Sequence, residues 1–95
     1  MQNNNGQIGV DQVLTAVRRL IATVTEREPE EIKEGDLLTE DLGVDSLMAM
    51  EIMVTVDRKF KIDIPEEEFA TIKTVRDAVA MVMKYLPEER ITAAV

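Results

Sequence analysis

The sequence contains no histidine, no cysteine and no tryptophan. Without histidine there is no imidazole to act as general base or metal ligand, which excludes a Ser–His hydrolase arrangement. Without cysteine there is no disulfide framework, no thiolate nucleophile and no thiolate metal site. Aromatic residues are scarce, with one Tyr and two Phe, so any core must be mainly aliphatic. No stretch approaches the roughly eighteen consecutive apolar residues of a membrane span. The start, Met1-Gln2-Asn3-Asn4-Asn5-Gly6, has neither the basic nor the apolar region of a signal peptide. Cationic side chains are outnumbered: 11 Lys plus Arg stand against 19 Asp plus Glu, for a net charge of −8. Such a chain repels nucleic-acid phosphates and anionic lipid heads, and suits docking to basic patches on other proteins. The expectation is a soluble, cytoplasmic, monomeric chain that binds no metal, inserts in no membrane and catalyses nothing alone.

What is present is helical patterning. Ninety-five residues allow one domain with a modest core, burying only about 60–65% of the unfolded surface. Residues 1–9 are polar, Asn-rich and aperiodic, and are expected to be disordered. From Val10 the apolar residues Val13, Leu14, Val17, Leu20, Ile21 and Val24 make a helical stripe. Asp11 lies near its start, with Arg18, Arg19 and Arg27 on the solvent face or beyond.

Glu28 to Val44 reads as a long connection. Pro29 opens a short helical turn, Ile32, Leu37, Leu38 and Leu42 are its core anchors, and Gly35 and Gly43 supply turn conformations. A loop of this length in so small a domain is either functional or pinned by its own apolar residues. Its carboxylates Glu34, Asp36, Glu40 and Asp41 lack the ligand spacing of a calcium loop, and read as a solvated acidic surface.

The second helix, from Ser46 to about Phe60, carries most of the information. Asp45 is suited to its N-cap. Ser46 then falls in an exposed first turn, where unpaired N–H groups and the helix dipole favour an anion such as a phosphate ester. Ala49, Ile52, Met53, Val56 and Phe60 follow the spacing of a buried stripe. Leu47, Met50 and Val54 form a second apolar row, with Met48 beside it and Glu51, Asp57 and Arg58 at its rim. That row either docks a partner or is covered by a neighbouring loop. Ile62 and Ile64 then plug the core, Pro65 to Phe69 form a short third helix, and Thr74 caps a fourth. In the fourth helix Val75, Val79, Val82 and Leu86 share a face, with Met83 alongside, until Pro87 stops it. Residues 87–95 read as a tail with no clear reason for order.

The run Asp41-Leu42-Gly43-Val44-Asp45-Ser46-Leu47, with Glu51, Ile52, Phe60, Ile64-Pro65 and Thr74-Val75, resembles the acyl carrier protein family, over roughly Val10 to Leu86. The resemblance implies an all-α four-helix bundle, of three longer helices and one short one, with a long loop between the first two. It implies 4′-phosphopantetheine on Ser46, attached as a phosphodiester by a separate transferase, so that the arm brings the thiol this chain lacks. Acyl groups would ride on it as thioesters between acyl-transfer and synthase enzymes. Asp45 would help that transferase hold its Mg²⁺ as well as cap the helix. Leu47, Met50, Glu51, Val54 and Asp57 would be read by partners, and Met53, Ile64, Phe69, Ile72 and Val79 would line a space for the acyl chain.

The chain departs from the family pattern in places. Met48 stands where housekeeping fatty-acid carriers have an acid, Arg58, Lys59 and Lys61 replace an acidic run, and Phe69 replaces a small residue. Such reversals change partner choice, and suggest a specialised bacterial carrier of a dedicated lipid or polyketide pathway. A short chain with its own Met1 is expected to act free-standing. A peptidyl or aryl carrier is the alternative, although Gly43-Val44-Asp45-Ser46 lacks the second Gly and the His frequent there. An armless helical docking module, in which Ser46 is dispensable, is a third reading.

Overall fold

The computed structural model describes residues 8–91. Three α-helices make the frame: α1 (Val10–Thr25), α2 (Ser46–Phe60) and α3 (Val75–Tyr85). Between α2 and α3 lies a 3-10 helix, Glu66–Thr71. This is the expected bundle of three longer helices and one short one, with α3 as the fourth helix of the sequence pattern. The short one is 3-10 rather than α, in keeping with a span of only six residues. Two further 3-10 turns, Pro29–Glu31 and Glu88–Arg90, punctuate the connection and the end.

The helical stripes meet in an aliphatic core. Val13, Val17 and Ile21 of α1, Val56 of α2, and Val75 and Val82 of α3 are almost fully buried, and no polar or charged residue is buried among the described residues. Each such side chain contributes about 1.5–3 kcal/mol by leaving water. Ile32 joins them at 0% exposure although it lies outside any α-helix, so the long connection is part of the core. Leu42 is buried as expected and Leu38 half-buried, but Leu37 is 38% exposed. The backbone explains the difference: Leu37 pairs with Thr74 in an isolated bridge, which turns its side chain outward.

That connection is fastened to α3 through main-chain atoms. The Glu34 carbonyl accepts the Arg76 N–H at 2.9 Å and the Asp36 carbonyl accepts the Val75 N–H at 3.1 Å. Two donors that a helix start leaves unpaired are thereby satisfied by a loop rather than by caps. Thr74 adds a capping box, its hydroxyl accepting from the Asp77 N–H at 3.0 Å while Asp77 Oδ2 accepts from the Thr74 N–H at 3.1 Å. The loop carboxylates are also engaged with backbone: Asp36 accepts from the Lys33 N–H and Asp41 from the Leu37 N–H.

Several expectations are corrected. Gly43 has φ +70°, the left-handed conformation expected of it, but Gly35 has no positive φ. Arg18 is half-buried rather than solvent-facing, and its Nη2 donates to the Pro29 carbonyl at 3.1 Å, tying α1 to the turn below it. Of the segment expected to be disordered, residues 1–7 lie outside the described residues, whereas Ile8 pairs with Ile91 in a parallel bridge. Residues 87–91 are structured too: Arg90 Nη1 donates to the Phe60 carbonyl at 2.6 Å, capping α2, and Ile91 packs against the core. Residues 92–95 of the expected tail lie outside the described range.

Candidate functional site

The site is built where the long connection turns into α2. Leu42 and Val44 are both buried, and Gly43 between them makes the turn that lets both point inward. The Val44 N–H donates to the Leu38 carbonyl at 2.8 Å, and the Thr39 hydroxyl donates to the Val44 carbonyl at 3.1 Å. With Val44 anchored, the next residues must face outward. Asp45 adopts an extended backbone and its Oδ1 accepts the Met48 N–H at 2.8 Å, so it is the N-cap that its side chain suits. Ser46 is the first residue of α2 and is exposed. The N–H groups of Ser46 and Leu47 precede any intrahelical acceptor, so they remain available to an anion on the hydroxyl.

From this hydroxyl an apolar row runs along α2. Leu47 is 75% exposed, Val54 44% and Met50 38%. With Glu51, Thr55 and Arg58 they line a shallow groove of about 360 Å³, which no loop of the described residues covers. Met48 turns toward the core instead. Asp57 departs from the expected surface role. It is half-buried, its Oδ1 accepts the Ile64 N–H at 3.4 Å, and burial pushes its carboxyl above the ordinary value despite that bond, with Asp63 adding repulsion.

Beneath α2 lies a small apolar cavity of about 30 Å³. Met53, Phe69 and Ile72 line it, joined by Ile21, Leu38, Val44, Ala49, Ile52 and Ala78. Ile64 and Val79 do not. Ile64 is buried where its N–H meets Asp57, and Val79 lines a groove on another side of α3, with Val10, Leu14 and Met83. One residue along a helix is a turn of about 100°, so Ala78 faces the cavity and Val79 faces α1. Small residues were the overlooked signal: Ala49 and Ala78 leave space where Leu or Ile would fill it. A larger groove of about 540 Å³ lies among Ile8, Arg19, Lys59 and Phe60, at the end of α2 remote from Ser46.

These residues can hold and present a group attached at Ser46. Among the described residues no cluster of His, Cys, Asp or Glu is gathered for a metal, and no helix is long and apolar enough to cross a membrane. Comparison with known proteins gives the family. The family described as the phosphopantetheine attachment site matches residues 15–82. An acyl carrier protein of Rickettsia bellii is 38% identical over 76 residues, which are 80% of this chain and 88% of that protein. The meromycolate extension acyl carrier protein of Mycobacterium tuberculosis is 37% identical over 84 residues, 88% of this chain and 72% of that protein. Among solved structures, the apo doublet acyl carrier protein from prodigiosin biosynthesis aligns with a TM-score of 0.70 and 29% identity, over 88% of this chain and 42% of that one. The acyl carrier protein from Enterococcus faecalis aligns with a TM-score of 0.70 over 82% of this chain and 99% of that one, a likeness of fold at 24% identity. The chain belongs to the acyl carrier protein family: it is a carrier rather than a catalyst, and bears covalently attached 4′-phosphopantetheine.

Proposed function

We propose that Ser46 is the residue that carries the phosphopantetheine arm, and that the protein moves acyl intermediates between enzymes of fatty-acid, lipid or polyketide-type biosynthesis in the cytoplasm. The observation that carries this reading is the exposed Ser46 hydroxyl at the first residue of α2, capped by Asp45 and followed by the exposed row beginning at Leu47. The residues fit the group: a primary hydroxyl for the ester, backbone N–H groups for the phosphate, and an apolar strip beside it. In the attachment step Ser46 Oγ would give up its proton and bond to the pantetheine-side phosphorus of coenzyme A, whose pyrophosphate bond breaks with 3′,5′-adenosine diphosphate as the leaving group. The arm supplies the thiol on which an acyl group is held as a thioester.

This chain's own residues orient and advertise that arm. Asp45 fixes the start of α2, and its second carboxylate oxygen is a candidate to meet the Mg²⁺ of a phosphopantetheinyl transferase. Leu47, Met50 and Val54 form the docking surface for that transferase and for the acyl-transfer and synthase enzymes, with Glu51 beside them for a basic patch. Arg58 borders the same groove, so a fitting partner offers an acidic or neutral group there, as a specialised carrier requires.

The test is intact-mass spectrometry after incubation with coenzyme A, Mg²⁺ and a broad-specificity phosphopantetheinyl transferase, beside a Ser46→Ala control. A single phosphopantetheine increment, absent from the control, is the expected result. An increment that persists in Ser46→Ala would move the attachment elsewhere and overturn the assignment.

A further inference from the structure

The 3-10 helix Glu66–Thr71 forms one wall of the cavity beneath α2, because Phe69 and, just beyond its end, Ile72 face that space. It is a weakly held wall. None of its six residues is buried, and Pro65 before it supplies no side-chain cap. A 3-10 helix also has poorer hydrogen-bond geometry than an α-helix. Among the described residues its side-chain polar tie to α3 runs through Glu68, whose Oε2 accepts from the Tyr85 hydroxyl at 2.5 Å and from Lys84 Nζ at 3.1 Å. Lys84 and Tyr85 form the last turn of α3. The Lys84 ammonium also sits 5.6 Å from the centre of the Tyr85 ring, which orients the three groups together. The Tyr85 hydrogen bond, then that of Lys84, holds the Glu68 carboxyl below its ordinary value, and the same Glu68 bond holds the Tyr85 hydroxyl above its own. The tie is made by the ionised form.

We propose that Glu68 is a latch: gripped by Tyr85 and Lys84, it holds Phe69 over the apolar cavity, so that cargo on the arm stays outside the helices until the latch opens. The inference rests on the reading of Ser46 as the arm's anchor. The cavity is about 30 Å³, whereas a cavity of about 150 Å³ is what admits benzene. An acyl chain of several carbons therefore goes in only if the wall moves. Phe69 is the largest side chain lining the space, and Glu68 is its immediate neighbour in the chain. Swinging Phe69 out with its backbone pulls the Glu68 carboxylate from both partners. Glu68 is thus a positioning residue that sets how much of a cargo chain is hidden and how much is offered to enzymes.

The experiment loads wild type, Glu68→Gln, Tyr85→Phe and Phe69→Ala from acetyl- and octanoyl-coenzyme A, and follows thioester cleavage by hydroxylamine. In wild type the two thioesters are expected to cleave at nearly equal rates. In Glu68→Gln the octanoyl thioester is expected to be protected about fivefold over acetyl, the effect of losing one charge-assisted contact. Tyr85→Phe moves the same way by less, and Phe69→Ala protects at least as strongly. A Glu68→Gln ratio equal to wild type, beside protection in Phe69→Ala, would overturn the latch; so would wild-type protection as strong as that of Phe69→Ala. Amide exchange over residues 67–72 decides the matter without an arm. It should quicken about fivefold in Glu68→Gln with α1 unchanged, and unchanged exchange overturns the latch. Failure of Ser46 to accept any arm would instead strike the attachment reading.

Discussion

The Leu38 N–H donates to the Lys73 carbonyl at 2.9 Å, while the Leu38 carbonyl accepts the Val44 N–H at 2.8 Å. One residue of the connection thus joins the segment that delivers Ser46 to the segment that begins α3. The loop is a structural member, and its backbone should tolerate little change. Gly43→Ala forces a Cβ into a φ of +70°, at a cost of about 1–2 kcal/mol. Gly35→Ala meets nothing within 4 Å, and should be neutral or stabilising by up to about 1 kcal/mol. Urea unfolding of the two variants measures the contrast.

Ile32 should behave as a core residue despite lying outside the α-helices. Its side chain is fully buried, so Ile32→Ala should destabilise by about 2–5 kcal/mol. Domains of this kind have only about 5–15 kcal/mol in hand. Thermal unfolding should show one of the larger losses available from a single substitution here.

The two roles argued for Asp45 are separable. Asp45→Ala removes the acceptor of the Met48 N–H and should cost about 1 kcal/mol. Asp45→Asn keeps an acceptor and should leave stability within about 0.5 kcal/mol of wild type. If the carboxylate also serves the transferase's Mg²⁺, Asp45→Asn will be folded yet modified markedly more slowly. Equal modification rates would leave it a cap alone.

Leu47, the most exposed of the large hydrophobics among the described residues at 75%, has little to contribute to folding. Leu47→Ser should change stability by no more than about 0.5 kcal/mol. Acyl transfer by partner enzymes, followed as turnover against carrier concentration, should nonetheless weaken through a higher KM.

The carboxylates should respond to acid with opposite signs. Glu68 is held below its ordinary value of 4.5, first by the Tyr85 hydroxyl, and Asp77 below 3.8, first by the Lys73 N–H. Their stabilisation is full above those values and is lost as pH falls through the folded-state values. Asp57 lies above 3.8 because of burial, so its contribution is greatest when protonated and is lost as pH rises. The stability difference between wild type and Glu68→Gln should therefore vanish in acid, while that between wild type and Asp57→Asn should move in favour of wild type.

What the sequence made legible follows from periodicity. The stripes of α1, α2 and α3 stood out because a 3.6-residue repeat dominates wherever a helix buries one face. Asp45 and Thr74 were readable as caps for the same reason that they cap: short side-chain acceptors before an apolar run. The connection was less readable. Leu37 and Leu38 are identical in type, and which one points inward depends on main-chain pairing with Thr74 and Lys73, distant residues that leave no mark on local sequence. Hydrophobicity ranks Val79 first on α3, whereas the lining of a space is set by direction around the helix, which brings Ala78 to it instead. Asp57 looked like a surface acid because its acceptor role toward Ile64 is made by a turn that periodicity does not describe.

The bridge between Ile8 and Ile91 has a mechanical consequence. The chain comes into the folded unit and leaves it at one place, and Arg90, bound to the Phe60 carbonyl, fixes that place at the far end of α2. A helix of 15 residues puts about 22 Å between its ends. A force applied through either end of the described residues would therefore bear on the end of α2 opposite Ser46, and leave the working tip unloaded.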